Sequence, residues 1–175
     1  MGLDLFFHKC KRSDYNAYNN AIEEWHNEEP QSGKISHEDY EKLSEDEKKK
    51  IQKEVSDWYD KRPDMDAHGI SEIGYFRKVN FLMEFFNYEG NCEFKEIAKY
   101  ELEDLVERCN AVLTTPKKHR KEKAEDLLPT QSGFFYGSTE YDNYYYEDVK
   151  EVRDWASGVL NDLKDEEMVL MYCWW

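Results

Sequence analysis

Two groups of side chains carry most of the chemistry open to this sequence. The first is Arg77 with Asn80, inside residues 75–86, YFRKVNFLMEFF. The second is residues 127–149, LLPTQSGFFYGSTEYDNYYYEDV, with seven aromatic side chains between Phe134 and Tyr146. A guanidinium withdrawn from water needs a carboxylate or a bound anion beside it. Aromatic rings can stack on a flat polar ligand, and tyrosine hydroxyls can orient it. Together the groups suggest a pocket with Arg77 and Asn80 as floor and Phe134, Phe135, Tyr136, Tyr141 and Tyr144 as walls. The competing reading is structural. Arg77 would then pair with Glu84, Glu140, Asp142, Glu147 or Asp148 and tie its helix to the aromatic segment.

Other candidates are weaker. His8 and Cys10 share a strand face, with Cys173 on the terminal segment, and imidazole and thiolate suit zinc. No second His or Cys pair has ligand spacing, so a core thiol, a semi-buried histidine and neither metal nor cofactor are expected. His68, beside Gly69, has the chemistry of a general acid or base. The turn Gly137-Ser138-Thr139 could cradle an anion, but Glu140, Asp142, Glu147 and Asp148 follow and would repel it. No GxSxG, HExxH, Walker or Rossmann pattern occurs, so no motif supports enzymatic activity.

These residues need elements to position them. Alternation predicts a strand from Leu3 to Lys11, with Leu3, Leu5 and Phe7 on one face. Asp14 can cap a helix from Tyr15 to about Glu29. Ser36 opens a second helical region, and Ser44 with Glu47 forms a capping box for its continuation. Its apolar stripe is sparse, so residues 31–63 read as a protruding helical insertion. Ser71 is expected to cap a central helix from Ile73 to Tyr88, with Tyr75, Phe76, Val79, Leu82, Met83 and Phe86 in one arc and Gly90 or Asn91 as C-cap. Residues 91–97 read as a short strand, and Lys99 to Thr114 as an amphipathic helix stopped by Pro116. The basic run KKHRKEK, 117–123, reads as a solvated loop or helix start.

Pro129 ends that region. Phe134, Phe135 and Tyr136 are expected to plug the following loop into the body of the protein, with Gly133 and Gly137 supplying turn conformations. Ser138 or Thr139 would then cap a helix from near Glu140 to about Lys164. The apolar end, Met168 to Trp175, should be a strand beside the N-terminal one. The predicted fold is α+β: a single domain, 1–175, of four or five helices packed on a small sheet containing the N- and C-terminal strands.

Composition narrows the function classes. The 175-residue chain can bury a real core. Its charged fraction is 36% and its formal net charge is −15. That argues against direct nucleic-acid binding through a basic face and against docking on an acidic membrane. A basic protein partner is compatible with it. No stretch is long and apolar enough for a transmembrane helix, and the N-terminus lacks the pattern of a signal peptide. Four scattered cysteines without a CxxC pair fit reduced thiols and a cytoplasmic setting.

Three pieces, MGLDLFFHK at the start, YFRKVNFLMEFF in the middle and LLPTQSGFFYGSTEYDNYYYEDV later, resemble a family of small proteins encoded by phages, prophages and their bacterial hosts. Its members begin MGLD, carry a Y-W-R-K-x-N helix and share an LLPT-x-SGFF-x-GS-x-x-YD-x-YY segment. Here Phe76 stands where that pattern has tryptophan. The resemblance implies a mobile-element setting and centres attention on Arg77, Lys78, Asn80 and the aromatic segment; it implies no reaction. The expected function is that of a phage-related cytoplasmic accessory protein. It would act by binding a small polar ligand, such as a nucleotide, or a host protein. The alternatives are an acidic inhibitor or DNA mimic acting on a host nucleic-acid-binding or defence protein, and a small hydrolytic enzyme.

Overall fold

A computed structural model describes residues 2–88 and 93–174. The expected C-cap at Gly90 or Asn91, the start of the 91–97 strand with Cys92, and Trp175 lie outside the described residues. The chain forms two compact units, one made of residues up to Lys11 and from Ser71 onward, the other of Arg12–Ile70.

The first unit is built on the N-terminal strand β1 (Asp4–Lys11) and the C-terminal strand β4 (Glu167–Trp174). They pair antiparallel along their whole length, from Asp4 opposite Trp174 to Lys11 opposite Glu167. β2 (Ser71–Arg77) pairs with the free edge of β1, and β3 (Phe94–Ile97) with that of β4. The result is a four-stranded antiparallel sheet in the order β2-β1-β4-β3. The chain is therefore α+β with its terminal strands side by side, as predicted. The described residues hold seven α-helices rather than four or five.

Alternation assigns the sheet faces. Leu5, Phe7, Met171 and Cys173 enter one core with Leu102, Leu105, Cys109 and Val112 of α5 (Lys99–Thr114) and Val149, Val152 and Ala156 of α7 (Asn143–Asp162). Between these helices, α6 (Lys117–Leu127) starts straight after Pro116, so the basic run is helical. Arg120 within it donates to the Leu113 and Thr115 carbonyls at 2.9 and 3.2 Å, satisfying orphan acceptors at the α5 C-terminus. On the other sheet face, one cross-strand row runs Tyr75, Phe6, Tyr172, Phe94, one ring per strand, with neighbouring centroids 5.1–6.1 Å apart.

One expectation fails here. Residues 73–88 are not a single helix. Ser71–Arg77 is a strand, and the helix that follows, α4, is only Phe81–Phe85. The apolar arc read at helical spacing was produced by a strand and a helix in succession. Ile73, Tyr75 and Phe76 favour strand geometry, and β1 offers an edge of unpaired backbone groups to satisfy. Gly74 is required by packing. A Cβ there would lie 2.4 Å from Trp155 Nε1, which donates to the Ile73 carbonyl at 2.7 Å.

The second unit holds α1 (Arg12–Asn27), α2 (His37–Glu41) and α3 (Glu45–Tyr59). α1 begins at Arg12, ahead of the expected Asp14 cap. Ser36 and Ser44 cap α2 and α3 as predicted, Ser44 within a complete capping box with Glu47. The centre of the unit is a tryptophan pair. Trp25 and Trp58 stack with centroids 4.1 Å apart and an interplanar angle of 2°, and each indole N–H donates to the other's carbonyl at 2.9 Å. Reciprocal bonds satisfy both polar edges, so two large rings can be buried without an orphaned donor.

Candidate functional site

The site grows from the turn that joins β2 to α4. Lys78 sits in the left-handed region at φ 62°, uncommon for a side chain with a Cβ and costing about 1–2 kcal/mol. Two backbone bonds hold it there. Lys78 N donates to the Leu3 carbonyl at 2.8 Å, and Leu3 N donates to the Phe135 carbonyl at 2.9 Å. Leu3 thus links the 77–80 turn to the aromatic loop. Gly137, at φ 91°, lies against Lys78; a Cβ at Gly137 would be 3.0 Å from Lys78 Cβ. Close approach and positive φ both demand glycine.

Asn80 makes the second link. It is buried, and its Nδ2 donates to the carbonyls of Tyr136 at 3.2 Å and Ser138 at 2.8 Å. Within the loop, the Tyr141 hydroxyl accepts from Thr130 N at 3.1 Å, and the Tyr145 hydroxyl donates to the Leu128 carbonyl at 2.7 Å. Burial raises the Tyr145 pKa, so the phenol stays a neutral donor. The loop is therefore fixed by backbone bonds and by Asn80. The expected aromatic plug is only partly present. Tyr136 and Tyr141 pack against the core, whereas Phe134 is 95% exposed and stands edge-on to Phe135 at 4.8 Å. Gly133 lets the loop fold back on itself, since a Cβ there would lie 2.7 Å from the Tyr136 ring.

α7 begins later than expected. Ser138 accepts from Glu140 N in a local turn, while the Asp142 carboxylate accepts from Tyr145 N at 3.0 Å and becomes the cap. Asp outcompetes Ser138 and Thr139 because a carboxylate also complements the helix dipole.

Between the 77–81 turn and the 138–148 segment lies a cleft of about 170 Å3. Of the predicted site residues, Arg77, Asn80 and Tyr144 line it; Phe134, Phe135, Tyr136 and Tyr141 do not. Sequence reasoning did not place Lys78 and Ser138 there, and it offered Glu140, Asp142 and Asp148, with Glu84 and Glu147, as candidate partners of Arg77 in the structural reading. That partnership is not formed. Arg77 is half-exposed at the end of β2, and its partner is Asp4 on β1, 3.6 Å away. The same Asp4 oxygen accepts from the Tyr75 hydroxyl at 2.5 Å.

The cleft therefore has cations on one wall and carboxylates on the other. Asp148 is the perturbed group. Burial first, then Glu151, Asp142 and Glu147, pushes its carboxyl up to about 6. A carboxylate held in that state gains most from an incoming cation or hydrogen-bond donor.

The remaining candidates stand elsewhere. Cys173 pairs with Leu5, on the sheet face opposite His8 and Cys10, so the three do not converge. Among the described residues no group of three His, Cys, Asp or Glu side chains could hold a metal ion. His68 belongs to the second unit, where its Nδ1 lies 2.8 Å from the Asp64 carbonyl oxygen and its ring meets Tyr18 edge-on. No described helix is long and apolar enough to cross a membrane. Comparison with protein-family models, curated proteins and solved structures gives no match.

Proposed function

We propose that this chain is a binding protein, a phage-related cytoplasmic accessory factor, whose ligand is a small polar molecule bearing both a negative and a positive group. The observation that carries this reading is the charge separation across the cleft. Arg77, half-exposed and bridged to Asp4, and Lys78 line one wall, Glu140, Asp142 and Asp148 line the segment facing them, and the Tyr144 ring stands at the edge, 76% exposed. Fixed opposite charges on backbone-pinned elements favour a ligand that presents the complementary pair. The volume favours something smaller than a nucleotide, since drug-sized ligands occupy roughly 300–1,000 Å3. Lys78 strain supports the same reading, because strained residues gather at ligand sites.

Native mass spectrometry of protein purified gently from its host tests this. A discrete small mass that is lost in Arg77→Ala and in Asp142→Asn is the expected result. Arg77 is half-exposed, its bridge to Asp4 spans 3.6 Å, and Asp4 keeps the Tyr75 hydroxyl as a donor, so replacing Arg77 changes stability by about 1 kcal/mol or less. Bare protein in every sample, including one incubated with a small-molecule extract of infected cells, refutes the reading.

A second reading, the hydrolytic enzyme, draws on Asp148. A carboxyl with a raised pKa beside other carboxylates has the character of a general acid. Turnover of a chromogenic ester or glycoside, abolished in Asp148→Asn, would favour it over simple binding.

A further inference from the structure

A separate surface lies along the flank of α7, where the helix meets β1 and β2. Two adjoining depressions, of about 420 and 320 Å3, meet at Asp154 and Trp155. Together their linings run along α7 from Glu147 to Asp162, roughly 22 Å at the helical rise. Positions 147, 151, 154, 158 and 162 follow at steps of three and four, so they make a single stripe along the helix. The floor is apolar: Ile73, Trp155 and Val159. Trp155 is held rigidly, by its bond to Ile73 and by rings of Phe7 and Phe76 at 4.4 and 5.3 Å.

The rim is acidic. Glu147, Glu151, Asp154 and Asp162 stand with Lys9 and Lys150; Glu167 engages Lys9 at 3.4 Å, Arg153 engages Asp154 at 2.6 Å, and the carboxylates remain in excess. The second depression holds Gly158, one turn beyond Asp154. A glycine inside a helix is disfavoured against alanine by about 1 kcal/mol. Every other described glycine has an atom within 4 Å of where its Cβ would be, and Gly158 has none. Nothing in the described chain asks for glycine there, and its absent side chain leaves room for a second helix to approach α7 at the close spacing such packing needs.

We infer that this surface docks a cationic amphipathic helix of a partner protein, with its apolar side on Trp155 and Gly158 and its lysines or arginines over the acidic rim. The occupant follows from the shape and the charge. A strip of lining residues about four turns long beside α7 suits a helix. An apolar floor between carboxylates suits an apolar stripe flanked by cations. The inference does not depend on the cleft at Arg77, and Arg77→Ala leaves it untouched.

The probe is a fluorescent peptide of about 18 residues, leucine and lysine at amphipathic helical spacing, titrated with the full chain near 0.15 M salt and followed by anisotropy. Saturable binding is expected, weakened about ten-fold by Gly158→Gln, which fills the second depression without adding charge. Reversing Glu147 and Glu151 to lysine should weaken it similarly. Reversing Glu45 and Asp46 on α3, with the same change in net charge, should leave it within about two-fold. Absence of binding by the parent chain overturns the inference. So does an unaltered affinity in Gly158→Gln, or an equal loss from the Glu45 and Asp46 reversal, which would reduce the effect to overall charge. The Gly158 side chain position is open, so the variant folds, and circular dichroism checks this.

Discussion

Replacing Asp148 by asparagine should stabilise the protein at neutral pH and leave it unchanged in mild acid. The folded chain holds this carboxyl at about 6, against 3.8 for the free group. A raised acid pKa means that the folded state binds the proton more tightly than the unfolded state. The favourable proton binding is present below about pH 4 and is lost as the pH rises through 6. Above that, the folded chain carries an anion that burial and the neighbouring carboxylates disfavour. Two pH units correspond to about 3 kcal/mol. Asp148 is only half-buried, so screening by solvent brings the expectation to about 1–2 kcal/mol. Asparagine keeps the shape and removes the titration. Urea unfolding of both proteins, at pH 4 and pH 7.5, measures the difference directly, and comparison at each pH cancels the other carboxylates. The reasoning fails if the variant gains nothing at pH 7.5, or gains equally at both. A variant less stable at pH 7.5 would mean that the Asp148 anion has a favourable partner in the folded chain.

Asn80→Ala removes the two bonds that hold the Tyr136 and Ser138 carbonyls; it should cost about 1–3 kcal/mol in urea unfolding and speed hydrogen exchange across residues 135–140. Phe134→Ala should change stability by no more than about 0.5 kcal/mol, because the ring is exposed; a large loss in thermal unfolding would show that the loop depends on it. Two glycine-to-alanine changes should have opposite signs. Gly74→Ala drives a methyl into Trp155 and should cost about 1–3 kcal/mol, whereas Gly158→Ala should add about 0.5–1 kcal/mol. Paired denaturant melts decide between these signs.

Local chemistry in the sequence determined much of the frame. Alternation and apolar content marked the two terminal strands, and their shared need for a backbone partner predicted that they pair. Serine caps at Ser36 and Ser44, the stripe of α5 and the stop at Pro116 were legible because a cap, a period and a missing N–H act within one helical turn. The aromatic segment and Arg77 were recognised as a region. What the sequence did not disclose was decided by contacts between distant residues. Residues 71–77 became a strand because β1 had an open edge and Trp155 needed the space above Gly74. Arg77 then moved from a supposed helix to a strand end, where Asp4, 73 residues earlier, took its charge. Lys78 entered a left-handed turn because Leu3 and Gly137 hold it there, and no property of a lysine announces that. Exposure of Phe134 and entry of Asp148 into the cleft likewise depend on where Asn80 fastens the loop. Propensity and period fix what one segment prefers; which edge, which face and which partner it finds are set by packing across the chain.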